Sequence, residues 1–463
     1  MTQCPHRPQP PKPAARPEKV SLWGYLKLFK QDILSAQPAK LYHAWMAEFR
    51  TPFFTSYMVN QPEIVSEVLK QRPDDFPKSD RIGEGLRPLL GESVFLTNGE
   101  VWKRQRRIID PAFEGGRLKY IFPAMNAACD AAITRLQDLS KDEGQAVEIE
   151  ELASFAAADV IFRTLFSIPI THHIATQVFE EFRRYQRTQP IVNLRAFISI
   201  PNWFPRFFKA ETKKSAAVIR GLIRKLTTQR MQEIENGTAP DDLATKIMTT
   251  PDPITGACFT AEEMIDQVAI FFLAGHETSA SALSWALYLV ARNPEVQDAL
   301  RQEANAGLSK PVTFGEVAKL RQSKDVFREA LRLYPPVPMM VRETTQCEQF
   351  RGRVQKTGAQ IVISPWHMHR HERIWDAPDA FWPERYQTEN GKACLKNAYY
   401  PFSAGARVCP GAGFAMIEGP LFLSRFVQAF DFSAVKDQTP IPVAHLTTRA
   451  KDGIHLWVQP CKS

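Results

Sequence analysis

Paired thiols are missing from this sequence. Its seven cysteines (Cys4, Cys129, Cys258, Cys347, Cys394, Cys409, Cys461) stand singly, with no CxxC pair. Zinc ribbons and iron–sulfur clusters need grouped thiolates, so both are excluded. An odd, sparse set without a secretory leader reads as reduced thiols in a cytoplasmic protein. Long apolar runs are missing too. The first, Val20 to Phe29, is about half a membrane span and contains Lys27; no later one reaches about 18 uncharged residues, so no transmembrane segment is expected. Repeats, low-complexity tracts and Gly/Ser linkers are also lacking. This leaves one large domain, residues 26–463, behind a Pro-rich arm, residues 1–25, expected to be loosely ordered. The net charge of +8 comes from dispersed cations with no nucleic-acid-binding motif. Nucleic acid is therefore not expected as a partner, and the charge suits acidic ones.

What is present is mostly helical periodicity, over 122–160, 174–185, 216–235 and 260–292. Strand-like runs are short: Phe53 to Val59, Gln360 to Ser364 and Gly453 to Val458. The fold class is mainly α with small β-sheets. The best-defined helix begins at a capping box, Thr260 with Glu263, and stops at Asn293-Pro294. It is apolar nearly all round, which predicts a long buried helix crossing the domain.

Two segments carry chemistry. The first is Phe402-Ser-Ala-Gly-Ala-Arg407-Val-Cys409-Pro-Gly411, which resembles the haem-binding loop of the cytochrome P450 family at every fixed position. Gly405 permits a positive φ and close approach to a flat ring. Phe402 can shield the sulfur, and Pro410 suits the first position of a following helix. There the N–H groups and dipole favour a thiolate, which as an iron ligand promotes O–O cleavage, a case known for this family. Gly419-Pro420 falls inside that helix and is expected to kink it and alter the surface on the cysteine side.

The second segment is Ala274-Gly275-His276-Glu277-Thr278-Ser279 within the long helix. It resembles the same family's oxygen-activating signature. Small residues at Ala274 and Gly275 leave room for haem and bound O₂. Thr278 can turn its hydroxyl toward the Ala274 carbonyl, opening a groove for water. By resemblance, Thr278 organises proton delivery and Glu277 relays protons from solvent. His276-Glu277 also starts like a zinc-protease HExxH helix, but Ala280 occupies the final position, which excludes that chemistry.

Further positions match the family. Glu329 and Arg332, with Arg385 in Pro-Glu-Arg, form its structural triad, two arginines around one buried carboxylate. Trp102 and Arg106, with Arg342 and Arg407, are the candidates to hold the haem propionates. Lys103, Arg104 and Arg107 are either a docking face for an acidic electron donor or an ordinary solvated helix face. His367, His369 and His371 look like a metal cluster, but the family places a turn there, and no metal is expected at them.

The resemblance implies a long central helix over haem b, with Cys409 as the iron ligand. It implies a monooxygenase inserting one atom of O₂ into a C–H bond of a lipophilic small molecule such as a fatty acid, alkane or terpenoid. No flavin or iron–sulfur segment is present, so a ferredoxin with its reductase, or a flavodoxin-type donor, is expected. The absence of an anchor suggests a soluble bacterial-type member. A peroxygenase, an O₂-independent rearrangement enzyme and a non-catalytic haem sensor are the alternatives. The substrate pocket is expected from 81–96, 192–208, 271–274 and 337–340, with Phe197, Phe204, Met339 and Met340 notable.

Overall fold

The computed structural model describes residues 9–50, 54–83, 85–141, 144–188 and 209–461. Eight helices position the site: α1 (Gly99–Ile109), α2 (Gly115–Leu139), α3 (Ile149–Phe166), α4 (His173–Thr188), α5 (Ala210–Glu235), α6 (Ala261–Ala291), α7 (Arg321–Leu333) and α8 (Ala412–Ala429). The molecule is mainly helical, with small sheets at its edges. Periodicity over 122–160 belongs to two helices rather than one. The chain breaks after Leu139, takes a positive φ of 96° at Gly144, and forms a short strand, Val147–Glu148, before α3.

Helix α6 is the axis. Its capping box is formed: Glu263 N donates to Thr260 Oγ1 and Thr260 N to Glu263 Oε2, satisfying two orphan donors. Its 31 residues span about 46 Å at 1.5 Å each. Such a length with an almost wholly apolar surface can only be stable inside other helices. The main core packs α2, α3, α7 and α8 around it.

A four-stranded sheet forms the second layer, from β1 (Met46–Arg50), β2 (Thr55–Val59), β3 (Met340–Glu343) and β4 (Gln360–Ile363) in the order β1-β2-β4-β3. β2 and β4 run parallel; the other pairs are antiparallel. Its apolar face joins Tyr57, Val59, Leu69, Ile361, Ile363 and Ala404 in a separate cluster. Because Ala404 adjoins Gly405, the cysteine loop is seated by the sheet while α8 belongs to the helical core.

The Pro-rich arm is docked, contrary to the expectation of a loose one, over the part that is described. Tyr334 Oη donates to the Pro11 carbonyl at 2.8 Å, Lys12 pairs with Asp379, and Arg16 N bonds to the Gln37 carbonyl at 3.1 Å. Prolines lose little entropy on ordering, and the arm satisfies a buried tyrosine hydroxyl. The chain's two ends also meet. Asp32 accepts from Ala444 N at 2.7 Å, and Ile33 N donates to the Ala444 carbonyl at 3.0 Å. Among the described residues, no helix is long and apolar enough to cross a membrane.

Candidate active site

The cysteine loop is built by three local constraints. Cys409 N donates to the Phe402 carbonyl at 2.9 Å, closing the loop. Gly405 has φ +66°, and a Cβ there would stand 2.1 Å from the Leu69 carbonyl oxygen. A close approach of the loop is thus to the backbone at Leu69. Helix α8 starts at Ala412 with Gly411 as its cap, so Pro410 precedes the cap instead of opening the first turn.

Cys409 is solvent-accessible, yet protein crowds it so closely that burial dominates its acidity. Burial pushes the thiol up, while the Gly411 N–H and Arg106 pull it back. The local helix start does not by itself yield a thiolate; a coordinated metal cation would.

Helix α6 presents a matching strip. Ala274 is exposed, and Phe271, Gly275, Thr278 and Ser279 are partly so, among residues that are otherwise buried along this stretch. Thr278 Oγ1 donates to the Ala274 carbonyl at 2.6 Å. Gly275 is different. A Cβ there would point at Ile161 of α3, 2.5 Å from its Cδ1, so its small size serves helix packing rather than room for a ligand. His276 is a core residue: it bonds Ser154 Oγ at 2.7 Å, stacks on Phe272, and burial drives it down to about 3. Ser279 Oγ donates to Glu418 Oε2 of α8 at 2.6 Å, tying the strip's helix to the cysteine helix.

Glu277 is buried and held from outside the motif. It accepts from Gln186 Nε2 of α4 and from Thr447 Oγ1 at 3.1 Å, and Arg449 lies 3.6 Å away. Burial nonetheless raises its pKa, making it a weaker acid than an ordinary carboxyl. Sequence reasoning missed these partners because they lie 91 and 170 positions from it.

Four cations gather beside the loop. Arg342 on β3 is buried with only a 3.2 Å bond to the Val341 carbonyl, and desolvation with Arg407 nearby lowers it to about 10. Arg407 packs 4.3 Å over the Trp102 ring, bonds Asn98 Oδ1 at 3.2 Å, and leaves its Nε unpartnered. Arg106 donates to the Val408 carbonyl at 2.6 Å but also pairs with Asp110 at 2.7 Å. Lys78, not foreseen, bridges to Arg342 in strand fashion, and burial plus these three arginines drive it down to about 6. Such a concentration of positive charge is a site for an anion.

The triad is a contrast. Glu329, Arg332 and Arg385 are all buried; Arg332 donates to both Glu329 oxygens at 2.8 Å and Arg385 Nε to Oε1 at 2.9 Å. Tyr386 Oη and Trp382 N complete the shell at 3.0 Å each. Tyr386 could have been read from its place after Arg385. Arg104 and Arg107 turn out to be bound to Glu263 and Asp252, at 2.6 and 2.5 Å, and Lys103 to Asp74 and Glu100. Arg104 thereby braces α1 against the start of α6, and Arg107 braces it against the loop before α6. His367, His369 and His371 sit in a buried turn, each held neutral by desolvation, and no metal-binding cluster occurs among the described residues. Gly419 takes the Phe327 ring against its backbone and is buried with Pro420, while α8 runs on through both. Their effect falls in the core, not on the surface.

The family model for cytochrome P450 matches residues 15–456. The chain belongs to the cytochrome P450 family. Relatives come from distant sources at similar identity. Cytochrome P450 4F12 of Homo sapiens is 28% identical over 98% of this chain and 89% of its own. Cyclooctatin synthase of Streptomyces melanosporofaciens is 28% identical over 88% and 87%. The 11-oxo-beta-amyrin 30-oxidase of Glycyrrhiza uralensis is 28% identical over 86% and 77%. A specifically bacterial type is not singled out. As a cytochrome P450, the chain is a monooxygenase of the haem-thiolate class. The residues fit a haem. An exposed cysteine on a closed loop, a small exposed residue at Ala274 and a cation cluster with an unpartnered arginine Nε suit an iron macrocycle with two carboxylates.

Proposed function

We propose that this enzyme hydroxylates a C–H bond of a lipophilic small molecule, a fatty acid, alkane or terpenoid, using haem b and a separate cytoplasmic electron donor. The donor is a ferredoxin with its reductase or a flavodoxin-type protein. The observation that carries the reading is the exposed Cys409 on its closed loop, together with the Thr278-to-Ala274 hydrogen bond on α6. Cys409 would ligate the iron, and Arg342, Arg407, Lys78 and Arg106, with Trp102, would hold the propionates. When bound, the haem supplies O₂ binding and reduction.

The chain's own residues supply the rest. Ala274 keeps the strip clear. Thr278, by spending its proton on the Ala274 carbonyl, leaves its lone pairs to accept from a water at the groove. Glu277, pushed up by desolvation, holds a proton more readily than an exposed carboxyl would. Phe402 and the sheet-seated loop limit water at the sulfur. Described parts of the expected pocket include Leu86, Leu89 and Leu96, buried, and the partly buried Phe271, Met339 and Met340. Phe197 and Phe204, with all of 192–208, lie outside the described residues. Lipophilic lining is consistent with the fatty-acid and terpenoid classes.

The test is a panel of fatty acids, alkanes and terpenoids read by the Soret shift, followed by turnover with NADPH, ferredoxin and reductase. Hydroxylated product that requires both O₂ and the donor is expected. Product formed with H₂O₂ alone, or without O₂, would replace the reading by one of the alternatives. Cys409→Ser should abolish the red-shifted reduced-CO band of the thiolate-ligated iron.

A further inference from the structure

The C-terminal hairpin of β5 (Pro442–Ala444) and β6 (Thr448–Ala450) is not part of any motif read above. It nevertheless lies along α6. Ser281 Oγ donates to the Thr448 carbonyl, and Thr447 Oγ1 donates to Glu277 Oε2 at 3.1 Å. At 100° per residue, Ser281 lies only about 20° around the helix from Ala274. The hairpin therefore borders the open Ala274–Thr278 strip. It is also stitched to the turn before β3, where Thr448 bonds the Pro335 and Pro336 carbonyls at 2.7 and 2.9 Å. That turn leads straight into 337–340. Arg449 reaches from solvent to the acid: its side chain is 42% exposed, it lies 3.6 Å from Glu277, and it donates to Gln186 Oε1 at 3.3 Å.

We propose that this hairpin is the positioning element for the acid of the oxygen-activating helix, with Thr447 and Arg449 holding the Glu277 carboxyl in place for proton transfer. The proposal rests on the relay role given to Glu277 above. Several groups compete to set the charge of that carboxyl. Burial opposes ionisation; Arg449, then Thr447 and Gln186, favour it. Tyr185 of α4 and His276 of α6 stand close, with Arg183 acting on His276. Glu150 of α3 accepts from Ala450 N at 2.8 Å and feels Arg449 as well. Of these, Arg449 is the charge that the hairpin places nearest the acid.

The experiment is an infrared pH titration of the carboxyl band in the resting haem-loaded enzyme, with no substrate, the band being assigned by its loss in Glu277→Gln. Arg449→Met should raise the midpoint by roughly one pH unit, since a nearby cation typically lowers a carboxyl by one or more. Thr447→Val should raise it by less, and Arg449→Lys should return it toward the wild-type value. A normal reduced-CO band in each variant shows that the fold and ligation are intact. Unchanged midpoints in both Arg449→Met and Thr447→Val would overturn the hairpin's role. If Glu277→Gln lowers turnover while both hairpin variants keep wild-type coupling and pH profile, the hairpin proposal fails and the relay stands. If Glu277→Gln turns over normally, the relay fails instead.

Discussion

Two clusters of charge in this molecule, one around Glu329 and one around Arg342, are built on opposite rules. Around Glu329 every charge has its partner within the chain: two arginines, a tyrosine hydroxyl and a backbone N–H converge on one carboxylate, and Arg332 spends its remaining donors on the carbonyls of His369, Pro378 and Ala380. Around Arg342 the cations depress one another, and an arginine Nε is left without an acceptor. Self-sufficiency marks scaffold. Imbalance marks a surface shaped for something the chain does not contain, since a buried cation without a partner is costly in itself.

The largest effect should come from breaking the closed cluster. Glu329→Gln strands two buried guanidinium groups and should cost about 3–5 kcal/mol. Urea melts should show this in the haem-loaded and the haem-free protein alike. In the open cluster, Arg342→Ala or Arg407→Ala removes a charge-assisted contact worth about 1.5–3 kcal/mol. Transfer of haem to apomyoglobin should then run roughly ten- to a hundredfold faster, while the haem-free melt holds or improves. Equal losses in both forms would erase the distinction.

Lys78 sharpens it through pH. Its folded value, about 6, lies below its ordinary 10.5. The unfolded chain therefore binds more protons between those values, and stability rises with pH across that window. Below about 6 both states hold the proton and the penalty is fully present. Lys78→Met should flatten the haem-free slope of melting temperature against pH between 6 and 10, and change the haem-loaded slope less. The smallest effect concerns α6. Gly275→Ala should lower stability by about 1–3 kcal/mol through Ile161 with ligand spectra unchanged. Ala274→Leu should do the reverse, blocking the Soret response at little cost in stability.

The difference between the clusters also explains what could be read in the sequence. Local spacing carries the long helix, with its capping box at Thr260, and the Thr278-to-Ala274 contact four residues apart. It carries Glu329 with Arg332 for the same reason. It does not carry Lys78, Thr447, Arg449 or Glu418, whose neighbours are set by how strands and helices cross. Glycines show the limit well. Positive φ at Gly405 follows from a turn, but what crowds it, the Leu69 carbonyl, belongs to a segment more than 300 residues earlier. Spacing points Gly275 toward the cofactor and the Gly419–Pro420 pair toward the surface, whereas the side chains of Ile161 and Phe327 fill the space that the missing Cβ atoms of Gly275 and Gly419 leave.

The contact between Asp32 and Ala444 has a consequence for how the molecule is made. Its partners are separated by 412 positions, so the closing bonds cannot form until nearly the whole chain has left the ribosome. Cys409 and the helix behind it emerge late, after every α6 and sheet residue that must meet them. Such a topology folds slowly, because loop entropy is lost before the distant contacts repay it. Truncation before Ala444 should therefore leave Asp32 and Ile33 without their closing partners, however complete α6 and the sheet already are.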